Sequence, residues 1–101
     1  VYYRLKAALV AGSVRRTVVS ELQLEPWAPH GLKNLSVDEV HRSLSLDRFR
    51  ANVSYARRTG LPEAFLWGVE WWYYAAGTMG EPSYLDLARE LFASTQPTAA
   101  R

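Results

Sequence analysis

Apolar and polar positions recur with two different periods along this chain, and the changes of period separate helices from strands. Residues 2 to 11 place Tyr2, Leu5 and Leu9 on one helical face, and Gly12 follows where a left-handed C-terminal stop is common. Ser13 to Arg16 is a polar connector. Thr17 to Leu22 is β-branched and apolar without helical periodicity, which predicts a strand covered on both faces. On a regular strand Thr17, Val19 and Glu21 share one side, and Val18, Ser20 and Leu22 the other. Gln23 to Leu35 contains Pro26, Pro29, Gly31 and Asn34 and predicts a long loop, a kind more often functional than idle.

Ser36 stands three residues before Glu39, the spacing of a capping box, and opens a short helix with Val37, Val40 and Leu44 inward. Ser45 starts another, in which Leu46, Phe49, Val53 and Ala56 recur at steps of three and four while Arg48, Arg50, Arg57 and Arg58 fall elsewhere; Gly60 and Pro62 end it. Ala64 to Val69 reads as a second buried strand that runs on into Glu70, Trp71, Trp72, Tyr73 and Tyr74, with Gly68 marking a close backbone approach or a bend. A helical crossover between the strands predicts that they are parallel, with a right-handed connection. Pro82 suits the first turn of a last helix, whose stripe is Tyr84, Leu87, Ala88, Leu91 and Phe92, and Gln96 onward reads as a polar tail.

The order helix, strand, helices, strand, helix describes two consecutive units of an α/β fold. Two parallel strands leave unpaired edges and need further strands and covering helices. Val1 is not an initiator methionine, and the opening VYYRLKAALVAG reads as a helix already under way, so the 101 residues are expected to be a piece of one larger domain with upstream sequence missing. With 49% hydrophobic and 22% charged residues the composition is that of a folded chain, and a net charge of +2 is too small to imply a polyanionic partner. No apolar run approaches the roughly 20 residues of a membrane span. The absence of cysteine removes disulfide and thiolate chemistry.

The strongest candidate for chemistry is VVSELQLEPW, Val18 to Trp27, where an apolar run delivers Glu21 near its C-terminal end and Glu25 follows before Pro26 and Trp27. Parallel α/β folds present reacting groups beyond such strand ends. A plainer role for Glu21 is a strand-end carboxylate bonded to an arginine or to loop amides; for Glu25, a carboxylate that fixes the turn; for Glu70, a structural partner near the same face as Glu21. Trp27, Trp67, Trp71 and Trp72 all fall at or beyond predicted strand ends, and an indole both stacks on a sugar face and offers an N–H to a hydroxyl. Core packing is the competing role, favoured for Trp72 and Tyr73. From Thr59 to Ala88 there is no Lys or Arg among these aromatics, which argues against a nucleic-acid platform. His30 and His41 are isolated and predict no metal site, and no phosphate-cradling glycine loop or nucleophile elbow is present.

The VVSELQ segment resembles the penultimate strand of clan A retaining glycoside hydrolases, (β/α)8 TIM barrels that include xylanases and cellulases, in which a Thr-Glu or similar pair ends strand seven and supplies the nucleophile. Glu21 takes the nucleophile's place and Ser20 that of the threonine. FLWGVEWW looks like strand eight, where a tryptophan floors a sugar subsite, and Trp67 matches it. The pair of segments ELQ-x-EPW and LWG-x-EWWY is also similar to a bacterial group within that clan. The resemblance covers essentially all 101 residues as helix six to helix eight, and implies that they are the C-terminal fragment of a single TIM-barrel domain. It implies a polysaccharide or oligosaccharide substrate, Glu21 as nucleophile, Trp67, Trp27, Glu25, Trp71 and Glu70 as substrate-binding, no cofactor, and an extracellular or cell-envelope location. The clan's strand-four Asn-Glu, which carries the acid/base, has no counterpart here, and the isolated segment is expected to be inactive. A carbohydrate-binding or catalytically inactive hydrolase-like barrel is the alternative.

Overall fold

The computed structural model describes residues 2–27 and 30–95. The expected polar tail from Gln96, and positions 28 and 29 of the predicted loop, lie outside the described residues. The chain forms two compact units, Val1–Gly68 and Val69–Arg101.

The first unit holds α1 (Tyr2–Val10), β1 (Val19–Gln23), a 3₁₀ turn at Leu32–Asn34, α2 (Val37–Ser43), α3 (Leu46–Arg58) and β2 (Ala64–Trp67). β1 and β2 pair in parallel, with Val19 opposite Ala64, Leu22 opposite Leu66 and Gln23 opposite Trp67. The predicted strand at Thr17 begins two residues later because β2 offers a partner only from Ala64. The Val19 N–H donates to the Glu63 carbonyl at 3.0 Å, and the Leu24 N–H closes the ladder on the Trp67 carbonyl at 2.8 Å. Between the first two pairs β1 advances from 19 to 22 while β2 advances from 64 to 66, so an extra residue is accommodated at Ser20–Glu21. Such a bulge breaks the two-residue alternation. The expectation that Glu21 shares the side of Val19 therefore does not carry through.

α2 forms with the cap its sequence dictates and with Val40 and Leu44 buried, whereas Val37, expected inward, is exposed. The Ser36 hydroxyl accepts from the Glu39 N–H at 3.2 Å, and the Glu39 carboxylate accepts from the Ser36 N–H at 2.8 Å. That second bond holds the Glu39 carboxyl below its ordinary value, aided by the Ser36 hydroxyl and by His30, whose Nε2 lies 3.3 Å from the carboxylate. Ser36→Ala is expected to cost about 1 kcal/mol. Because the carboxyl pKa is lowered on folding, Glu39's share of this stability is present above the unfolded carboxylate value and is lost as pH falls through the folded one. Denaturation midpoints of Glu39→Gln and the parent chain should thus converge in acid, and a gap independent of pH would refute the role given to Glu39.

α3 is capped by the Ser45 hydroxyl, 3.1 Å from the Arg48 N–H, and buries Phe49 and Ala56 as its spacing predicts. Gly60, at φ 71, ends it in the left-handed region, where a side chain would be strained. Among the described residues of this unit, Leu24, Pro26, Leu35, Val40, Leu44, Phe49 and Ala56 are buried. The Arg16 guanidinium pairs with Glu63 just before β2. α1 buries none of its residues, and Tyr2, Leu5 and Leu9, which share one helical face, are all exposed. Gly12 is not left-handed; the Ser13 and Val14 N–H groups close the helix on the Val10 carbonyl instead.

The second unit pairs α4 (Val69–Gly77) with α5 (Ser83–Ser94). α4 replaces the predicted run-on of the second strand. Gly68, at φ 136, sits where the backbone leaves β2, and the residues after it then satisfy helical spacing, with Trp71, Trp72 and Ala75 buried and Tyr73 exposed. Tyr73 was expected in the core alongside Trp72; the helix turns it outward. In α5, Tyr84, Leu85 and Ala88 are buried, while Phe92 at the end of the predicted stripe is exposed. The Trp71 and Tyr84 rings meet edge to face, with centroids 4.9 Å apart. Burial, with the Glu81 charge adding to it, pushes the Tyr84 phenol up to about 12.

Candidate functional site

The C-terminal ends of β1 and β2 carry the residues that the sequence nominates, and the chain following β1 shows why they project. Leu24 and Pro26 are buried, so the residues between and beyond them turn outward: Glu25 is half-buried and Trp27 is 74% exposed. The Trp27 N–H is anchored on the Ser43 hydroxyl at 2.5 Å, which ties this loop to the end of α2. The Asn52 amide donates to the Gln23 carbonyl at 3.4 Å, linking α3 to the last residue of β1. Rigid elements thus hold both ends of the segment from Gln23 to Trp27.

Trp67, the last residue of β2, is 51% exposed. Its indole N–H donates to the Glu25 carboxylate at 3.1 Å. A hydrogen bond to a charged acceptor is roughly twice as strong as a neutral one and is directional, so Glu25 restricts rotation of a half-exposed indole. Gln23 is the register partner of Trp67 and shares its side of the sheet. Glu21 lies exposed in β1 at the bulge, two residues before Gln23. Bulges occur next to reaction centres because they re-aim a side chain without ending the strand. The site therefore offers an oriented aromatic platform, the carboxylate that orients it, a second exposed indole at Trp27 and a carboxylate at Glu21.

Glu70 and Trp71 have different surroundings from those expected. They do not extend a strand end but lie in the first turn of α4, in the second unit. Glu70 is exposed there. Trp71 is 2% exposed and packs on Tyr84, and its indole N–H is buried without a hydrogen-bond partner among the described residues. An indole so enclosed has no face for a sugar.

Sequence reasoning passed over Gln23, Ser43 and Asn52. Asn52 carried a usable signal: a polar residue between Phe49 and Val53, in the apolar stripe of α3, implies a partner for its amide. Ser43 carried none, because its role depends on where the loop returns. Among the described residues no group of three or more His, Asp or Glu could hold a metal ion, and no helix is long and apolar enough to cross a membrane. No protein-family model, curated protein or solved structure matches the chain.

Proposed function

We propose that this chain carries the nucleophile strand of a retaining β-glycoside hydrolase acting on a polysaccharide or oligosaccharide, with β1 and β2 as the seventh and eighth strands of a (β/α)8 barrel. The observation that supports this reading best is the half-exposed Trp67 indole held by Glu25 at the ends of two parallel strands. Glu21 is the nucleophile. Its carboxylate attacks the anomeric carbon as the bond to the leaving oxygen breaks, and a carboxylic acid elsewhere in the enzyme, about 5 to 5.5 Å away, protonates that oxygen. Water then hydrolyses the glycosyl ester, returning Glu21 to its ionised form with net retention. Trp67 floors the adjoining sugar and Trp27 extends the aromatic surface.

A reading without turnover, in which the same surface binds carbohydrate, is favoured by one observation: the carboxylate engaged with the platform is Glu25, not Glu21. Covalent trapping separates the two. A deoxyfluoro β-glycoside with an activated leaving group, incubated with the full-length protein, should leave one glycosyl unit on the peptide containing Glu21. Binding of the glycoside without any covalent adduct would favour the non-catalytic reading, and an adduct on another residue would remove Glu21 from its role.

A further inference from the structure

A pocket of about 330 Å³ opens elsewhere in the first unit, lined by Tyr3 and Arg4 of α1, Tyr55 and Arg58 of α3, and Thr59 just beyond. It shares no residue with the sheet-end site. We propose that this pocket binds the tetrahedral oxyanion of a small phosphorylated or sulfated ligand.

Charge supplies the first argument. α1 and α3 together carry six basic residues and one acidic one, a larger excess than the +2 of the whole chain, and no lining residue is acidic. Elsewhere in the fold Arg16 pairs with Glu63, Arg50 with Asp47 and Arg89 with Asp86. Arg4 and Arg58 make no hydrogen bond or ion pair among the described residues. Two unpaired guanidinium groups facing one hollow repel each other, and a doubly charged anion with oxygens on several sides relieves that repulsion while using their forked donors.

Positioning supplies the second. The Arg4 side chain lies along Gly60, where an added Cβ would come within 3.3 Å of its Nε. Gly60 therefore ends α3 and also leaves room for Arg4. The Arg58 guanidinium sits over the Tyr55 ring, 6.0 Å from its centroid, which leaves the N–H edges of the cation free. Tyr3 meets Tyr55 edge to face at 6.3 Å, so the aromatic wall is built from both helices. The phenols of Tyr3 and Tyr55 can donate to an anion, and the ring faces can cover the organic part of an ester.

The plainer role of these arginines is to complement the negative end of the α3 dipole. That role does not need their hydrogen bonds. The Ala56 carbonyl already accepts from the Thr59 N–H at 3.2 Å and from the Thr59 hydroxyl at 2.6 Å, and the Arg57 carbonyl accepts from the Gly60 N–H at 3.1 Å.

The test is a titration of the full chain with inorganic phosphate at constant ionic strength, followed by backbone amide shifts. Saturable shifts confined to Tyr3, Arg4, Tyr55, Arg58 and Thr59 are expected, with sulfate behaving similarly and acetate binding at least several-fold more weakly. Arg4→Gln and Arg58→Gln should each weaken phosphate about tenfold, the scale of one lost charge-assisted hydrogen bond. Arg48→Gln, exposed on the same helix, should leave the affinity unchanged. Methyl phosphate binding as tightly as phosphate identifies an ester as the ligand, and a clear preference for phosphate identifies the free anion; both support the site. Shifts that never saturate, or an equal loss in Arg48→Gln, would show diffuse charge alone and overturn it.

Discussion

Glu21→Gln in the full-length protein is expected to lower kcat on β-glycosides by about four orders of magnitude while oligosaccharide affinity stays within a few-fold, the scale on which loss of a nucleophile or its partner acts. On the proposed glycosidase mechanism an amide cannot form the glycosyl ester, so the chemical step fails, whereas the proposed stacking on Trp67 does not involve Glu21. The substitution is nearly isosteric at an exposed position and should cost the fold no more than about 0.5 kcal/mol. A second variant separates lost chemistry from lost structure. Glu21→Ala leaves space for azide to attack the anomeric carbon in place of the carboxylate, expelling the leaving group and giving a glycosyl azide of inverted configuration. Turnover surviving intact in Glu21→Gln would end the case for Glu21, and unrescued loss in Glu21→Ala would weaken it.

Phe49→Ala should have the largest effect on stability, about 3 to 5 kcal/mol, because Phe49 is 1% exposed and truncating a buried aromatic removes both its burial and its packing. Small domains are stable by only about 5 to 15 kcal/mol, so this one change removes a large fraction of the total. The reason is positional. α3 packs on β1, and Asn52 of the same helix holds the carbonyl of Gln23. Loosening α3 therefore loosens the segment that carries Glu25 and Trp27. Arg48→Ala, exposed one residue earlier in the helix, should shift the denaturation midpoint little. Equal midpoints for Phe49→Ala and Arg48→Ala would mean that α3 is not part of the core, and the support described for the site would fall with it.

Local chemistry was legible where it acts over three or four residues. The Ser36 and Glu39 capping box, the Ser45 cap, the apolar stripe of α3 and its stop at Gly60 all form as their spacing predicts, because each is decided by neighbours in the chain. Two strands in parallel also followed from an apolar run on either side of helices. Misreadings arose where an apolar run lacked a unique period. VEWWYYAAG is rich in aromatics that suit a strand, yet after the turn at Gly68 it is helical, which removes Trp71 from any exposed platform and turns Tyr73 outward.

By itself the sequence determined the caps, the two strands, the direction in which they run and the carboxylates and indoles that crowd their ends. Tertiary structure alone decided which of those groups meet. The bulge at Ser20–Glu21 depends on how many residues β2 sets against β1, and the bond from Trp67 to Glu25 joins positions far apart in the chain. The pairing of Arg4 with Arg58 around one pocket is of the same kind. Periodicity reports which face of an element a residue occupies; only the packing of one element against another determines what that face meets.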